Sequence, residues 1–252
     1  MMNIIRNLNI DSSFYLFMLV GMFCGYIKEI VIVFSIVLIH EFGHVIFFNL
    51  FKIEIEKVVI YPFGGMCYVN KKINNRILYD FLINIGGIVM QFILFLIVYF
   101  LWNKGVIVDS TYNLFCKYNL SILLFNVLPI IPLDGNKVLV NVLCNFFSFR
   151  FSYVIGIIVS ILFSLLFLIY NVICGINDLV ICLFLLFQLI NVIKSYRFLI
   201  NKFYLERIIY DNYYDEIING NINVKNMKIG KYYYFYKNGR YYNEKEYLKL
   251  FK

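Results

Sequence analysis

The chain has 252 residues, 62% of them hydrophobic and only 15% charged, with a mean hydropathy of +0.77. That balance excludes an ordinary soluble domain and a disordered chain, and it places the protein in lipid. The formal charge of +8 gathers beside apolar runs, as on a cytosolic face against anionic lipid, and no pattern of a nucleic-acid module accompanies it.

A helix crosses a hydrocarbon core of roughly 30 Å with about 20 apolar residues. Six such spans are expected, at about 12–27, 29–51, 77–102, 114–141, 151–171 and 178–194. The first reads as a retained helix rather than a cleaved signal, because only Arg6 precedes it, no small-residue cleavage site follows, and more spans come after. An even number of spans puts both termini on one side. If that side is the cytosol, it holds Arg6, the five basic residues Lys52, Lys57, Lys71, Lys72 and Arg76, Arg150, and the twelve from Lys194 onward. Lys28, Lys104 and Lys117 then face the other way, so the positive-inside rule favours cytosolic termini.

Between the second and third spans, residues 53–69 alternate apolar and polar side chains and break at Pro62 and Gly64-Gly65. The pattern predicts a strand, a turn and a second strand at the membrane edge, where protein or a wet cavity must satisfy the backbone. An ordinary loop is the plainer alternative. The fold class expected is an all-α polytopic membrane protein of about six transmembrane helices, with this short β-hairpin and a small α+β cytosolic tail.

The composition turns polar after Lys194, which divides the chain into a membrane domain, 1–194, and a small C-terminal domain, 195–252. A helix is expected over 201–218, and the aromatic stretch 231–242 brackets Asn238-Gly239, a dipeptide suited to a type I′ hairpin turn. Those rings either bind a partner or bury against their own neighbours. The six cysteines, Cys24, Cys67, Cys116, Cys144, Cys174 and Cys182, form no CxxC pair and read as small hydrophobes.

The chemistry is concentrated in His40-Glu41-Phe42-Gly43-His44, an H-E-x-x-H motif in the second half of an apolar helix. Residues four apart share a helix face, so both imidazoles reach one metal while Glu41 stands beside it as a general base for water. These are the only two histidines in the chain, and an acid in lipid costs at least a few kcal/mol unless it has a task. A catalytic zinc commonly takes a third protein ligand. Asp134 is the candidate, in a stretch where Pro129, Pro132 and Gly135 interrupt an apolar run and can turn a carboxylate into a cavity. Asp80, near the start of the third span, is its rival.

The pair HEFGH at 40–44 and N-x-x-P-x-x-P-L-D-G at 126–135 resembles the site-2 protease family of intramembrane zinc metalloproteases. The likeness extends over about 28–140, and the stretches 118–135 and 61–65 look like the sporulation branch that processes the sigma-K precursor. The resemblance implies Zn²⁺ held by His40, His44 and Asp134, with Glu41 as catalytic acid and base. It further implies substrate contacts from Asn126 and Pro132 and from the loop at Pro62, Phe63, Gly64 and Gly65. Implied partners are a membrane-associated protein substrate, membrane-anchored inhibitors of the sporulation type and the bilayer, with homo-oligomerisation open and no nucleic acid. The implied location is the mother-cell membrane around the forespore.

Two departures from the family stand out. The third span carries Asn84-Ile85-Gly86-Gly87 followed by Gln91 in place of the usual small-residue and proline motif, and the 59 residues from Lys194 are too short for a complete nucleotide-sensing CBS domain. A housekeeping protease that clips anti-sigma factors or signal-peptide remnants is the alternative within this chemistry. A zinc-binding scaffold or transporter is the alternative outside it, although such a protein has no need of Glu41.

Overall fold

The computed structural model describes residues 8–61, 64–69, 72–74, 76–174, 179–210, 214, 216–220, 223–237 and 239–250. They form two compact units, one of residues 1–71 and 82–126, the other of 72–81 and 127–252.

In the first unit, β1 (Leu8–Ile10) leads into α1 (Ser12–Phe23) and α2 (Ile27–Leu50). Gly25, at φ +80°, lets α1 end in a Schellman turn: its N–H donates to the Met22 carbonyl and that of Tyr26 to Gly21. The same closure ends α2, with Lys52 at φ 55°. The chain then reverses through β2 (Ile55–Tyr61) and β3 (Gly64–Val69), which pair antiparallel with Ile60 opposite Gly65. The expected hairpin is therefore present. The short β1 adds to it in parallel, Leu8 opposite Val58, a third strand that three residues of sequence could not announce. Next come α3 (Ile77–Asn103), whose first turn belongs to the second unit, and α4 (Asp109–Val127).

The second unit holds α5 (Asp134–Phe146), α6 (Phe149–Cys174) and α7 (Leu179–Ile209), followed by β4 (Glu216–Gly220), β5 (Lys231–Lys237), β6 (Arg240–Asn243) and α8 (Glu244–Lys249). Strand β4 runs parallel to β5, and β5 antiparallel to β6. The helix expected at 201–218 is instead the end of α7, which stops at Ile209, while 216–220 is a strand. The β5–β6 hairpin forms as expected, and Gly239 takes φ +79° in its turn. Alternation on β5 buries Tyr233 and Phe235 and turns Tyr234 and Tyr236 outward. The buried rings close a core with Phe203, Phe149, Tyr247 and Leu248, including stacked pairs Phe235–Tyr247 at 4.2 Å and Phe149–Phe203 at 4.5 Å.

Beneath that core lies a wholly buried Arg207, which donates to Glu244 Oε1 at 2.8 Å, Asn74 Oδ1 at 2.8 Å, and the carbonyls of Lys228 and Lys231. Its neighbour Glu206 accepts from the N–H groups of Ile73 and Asn74 at 2.7 and 3.2 Å. The segment that enters α3 is thereby tied to the C-terminal part of the chain.

Among the described residues, four helices are long and apolar enough to cross a membrane: α2, α3, α6 and α7. Their large apolar side chains stand outward, among them Phe92, Leu96, Ile97 and Phe100 on α3, the arrangement lipid demands and water does not. The chain is an integral membrane protein. Of the other two expected spans, α1 has only 12 residues, and the run 114–141 is divided between α4 and α5. Pro129 and Pro132 explain the division, since neither supplies the N–H that would carry a helix through. Of the five cysteines whose side chains are described, Cys144 and Cys182 are buried, Cys67 and Cys116 half-buried, and Cys24 exposed, so the small-hydrophobe reading holds only in part.

Candidate metal centre

Helix α2 carries His40, Glu41 and His44 on adjoining turns, with both histidines buried. Their Nε2 atoms face each other at 3.3 Å, with the ring planes 75° apart. His44 Nδ1 lies 2.7 Å from the Ile83 carbonyl oxygen, which can only accept, so Nδ1 carries the proton and Nε2 the lone pair. His40 Nδ1 lies 3.3 Å from Gln91 Oε1. Two imidazole nitrogens turned toward each other at this distance share either a proton or a cation, and where both carry a lone pair only a cation fits. Tetrahedral Zn–N bonds of about 2.0–2.1 Å would hold two such nitrogens roughly 3.3–3.4 Å apart. The observed spacing fits that ion, and imidazole is a donor that suits it.

Helix α3 comes close enough to bring the Ile83 carbonyl and Gln91 to the two imidazoles because glycines line the approach. A Cβ on Gly43 would strike the Gly86 carbonyl oxygen, and one on Gly86 would lie 2.9 Å from the Gly43 oxygen. Gly87 faces the imidazoles directly: a Cβ there would stand 2.5 Å from His40 Cε1 and Nε2 and 2.7 Å from His44 Nε2. Small residues at such positions let helix backbones meet in lipid.

Glu41 points toward the hairpin, where its Oε1 accepts from the Gly65 N–H at 3.1 Å. A side chain on Gly65 would intrude, since its Cβ would lie 2.7 Å from Glu41 Cγ. Gly65 thus holds the carboxylate on the histidine turn. Gly64 opens β3 opposite Tyr61. Pro62 and Phe63 lie outside the described residues.

In the second unit Asp134 is the first residue of α5 and only 4% exposed. The preceding segment contains a cis Ile131–Pro132 bond and is fastened to α6: the Ile131 N–H donates to Ser160 Oγ at 2.9 Å. Asn136 Nδ2 donates to the Gly156 carbonyl at 2.9 Å, to Ser160 Oγ at 3.0 Å and to the Pro129 carbonyl at 3.2 Å. Gly135 is required because a Cβ would run into the Val127 carbonyl oxygen. Lys137 Nζ lies 2.8 Å from Asp134 Oδ1, an ion pair one helical turn long. Pro132 is half-buried in this loop, and Asn126 is half-buried in the last turn of α4, within the first unit. The rival Asp80 occupies the first turn of α3.

Sequence reasoning missed the outer groups: Gln91, the carbonyls of Ile83 and Asn119, Asn136, Ser160 and Lys137. Backbone acceptors carry no signal in a sequence. Gln91 does, as an isolated amide in an apolar helix, a signal that marks a buried polar partner without naming it.

The fold and the helix-borne histidine pair define a protein similar to the site-2 proteases: the model of peptidase family M50 matches residues 28–107, and the solved structure of the site-2 protease from Methanocaldococcus jannaschii shares the fold, with a TM-score of 0.59 and 22% identity over 73% of this chain and 89% of that one. Among individual proteins, stage IV sporulation protein FB of Bacillus subtilis is 34% identical over 138 residues, 55% of this chain and 48% of its own. A zinc metalloprotease of Methanocaldococcus jannaschii is 25% identical over 122 residues, 47% of this chain and 35% of its own. The chain therefore spans about half the length, or less, of the curated relatives it matches.

Proposed function

We propose that the chain is an intramembrane zinc metalloprotease of the site-2 type, with His40, His44 and Asp134 as the metal ligands and Glu41 as the catalytic acid and base. The observation that carries the reading is the pair of Nε2 atoms 3.3 Å apart on the helix that also presents Glu41. The names of the relatives, which include a zinc metalloprotease, support the choice of metal. Zinc, when bound, polarises a carbonyl and makes water acidic enough to be deprotonated near neutral pH. Glu41 takes that proton at a carboxylate oxygen and returns it to the leaving amine nitrogen. The Gly65 N–H keeps the carboxylate aimed while it does so, an arrangement that a metal-binding scaffold or transporter has no use for.

A peptide bond in a helix is shielded by its own backbone, so the substrate must be extended before attack. Addition as a strand beside the β2–β3 hairpin holds it so, with Gly64 and Gly65, Pro62 and Phe63, and Asn126 and Pro132 as the contacting residues. The substrate is a membrane-associated protein, and similarity to a sporulation protein supports the sigma-K precursor, with membrane-anchored inhibitors of the sporulation type. The same similarity supports the mother-cell membrane around the forespore as the location. Six membrane passages with cytosolic termini follow if α1 and the α4–α5 region also enter the bilayer, and the distribution of basic residues favours that orientation.

The test is co-expression with the sigma-K precursor, comparing the wild type with Glu41→Gln, which keeps the ligands and removes the base. Cleavage lost only in the variant supports protease and substrate together. Cleavage by neither moves the substrate to another class, such as anti-sigma factors, and equal cleavage by both refutes the mechanism.

A further inference from the structure

Gln91 sits at mid-length on α3, where an apolar side chain would be at ease, yet it is an amide and is 0% exposed. Burying an amide in lipid is unfavourable unless both of its ends are bonded. Both are: Nε2 donates to the Asn119 carbonyl on α4 at 2.7 Å, and Oε1 faces His40 Nδ1 at 3.3 Å. The Asn119 carbonyl can only accept, so it fixes which end of the amide points which way. Turning the amide over would set two oxygens against each other. Oε1 is thereby held toward His40, and an oxygen facing a ring nitrogen selects the tautomer with the proton on Nδ1.

We infer that Gln91, oriented by the Asn119 carbonyl, is a positioning residue that locks His40 in the Nδ1-protonated tautomer and presents its Nε2 lone pair to the metal. The inference rests on the zinc reading of His40 and His44. It gives the two histidines different outer supports. His44 is set by a backbone carbonyl that no substitution removes, whereas His40 is set by a side chain that one substitution does. It also gives α4 a task at the centre, through a carbonyl that no motif marks.

The chain has only two histidines, so ¹⁵N-histidine NMR of the full-length protein in micelles reports each ring separately. In the metal-free wild type His44 is Nδ1-protonated, and His40 holds its proton mainly on Nδ1 in competition with an Nε2–H···Nε2 bond to His44. Gln91→Met, which matches the length of the side chain without its polar ends, is expected to shift His40 toward the Nε2-protonated form and leave His44 unchanged. The same variant is expected to weaken zinc binding by about 10–100-fold. Gln91→Glu, as the neutral acid that so buried a position favours, donates its O–H to the Asn119 carbonyl, keeps an acceptor toward His40 and holds zinc within about threefold of wild type. If Gln91→Met does not fold, Gln91→Asn carries the test, since the shorter side chain withdraws the acceptor from His40 while keeping the amide. Wild type that binds zinc alongside a Gln91 variant with unchanged affinity and unchanged His40 resonances overturns this inference alone. Wild type that binds no zinc overturns the metal reading and this inference with it.

Discussion

Gly87→Ala isolates the claim that the two imidazoles occupy a fixed, metal-ready geometry. The added methyl would lie 2.5 Å from His40 Cε1 and Nε2 and 2.7 Å from His44 Nε2, so the rings must retreat by roughly 1 Å to reach ordinary contact distance. Neither ring can do so cheaply, because Gln91 holds His40 and the Ile83 carbonyl holds His44 at their far nitrogens. Zinc ligands tolerate errors of only about 0.2 Å. An overpacked core costs about 1–3 kcal/mol, and at about 1.4 kcal/mol per tenfold that weakens zinc binding by roughly 5–150-fold. Helix propensity works in the opposite sense, since Ala in a helix interior is favoured over Gly by about 1 kcal/mol. The assay is competition for zinc against a chelator of known affinity, alongside thermal unfolding of the metal-free protein. Unchanged zinc affinity with raised thermal stability would show that Gly87 faces open space, and would refute the geometry on which the site rests.

Two further predictions concern the hairpin and the tail. Gly65→Ala pushes on Glu41 Cγ, and a displacement of about 1 Å is expected to cut the cleavage rate about 100-fold while zinc content is retained; a rate near wild type would free Glu41 from the hairpin. Arg207→Met leaves the Glu244 carboxyl buried without its guanidinium, a loss of about 3–5 kcal/mol read as a lower unfolding midpoint. Burial already pushes Glu244 upward, opposed by Arg207 and by the Tyr233 N–H. Without Arg207 it rises further, so stability is fullest below the ordinary carboxylate range and is lost as pH climbs through the raised value. The defect is therefore larger near about pH 8 than near about pH 5, and equal losses at both would contradict an ionised pair.

Much of the centre was legible because its chemistry is local. His40 and His44 announce themselves by a spacing of one helical turn, and Glu41 by being an acid where lipid allows few. The β2–β3 hairpin was legible through Pro62 and the glycines, and the break in the run 114–141 through Pro129 and Pro132. What stayed hidden depends on the approach of distant segments. The parallel pairing of Leu8–Ile10 with β2 is decided by contact between strands nearly fifty residues apart. Helix α7 continues to Ile209 because Phe203 and Arg207 are buried under the tail, a reward that local composition does not register, and beyond it β4 gains a parallel partner in β5. Gln91 shows the same limit at the site, since its task becomes visible only once Asn119 and His40 flank it.

The most direct test of the central claim is X-ray absorption at the zinc edge on the purified full-length chain, wild type against Asp134→Ala. The account predicts a wild-type shell of two imidazole nitrogens with oxygen donors at about 2.0–2.2 Å, and loss of one oxygen with weakened retention of the metal in the variant. A shell without imidazole scattering, or one that Asp134→Ala leaves unaltered, would contradict the ligand set from which the proposed protease is built.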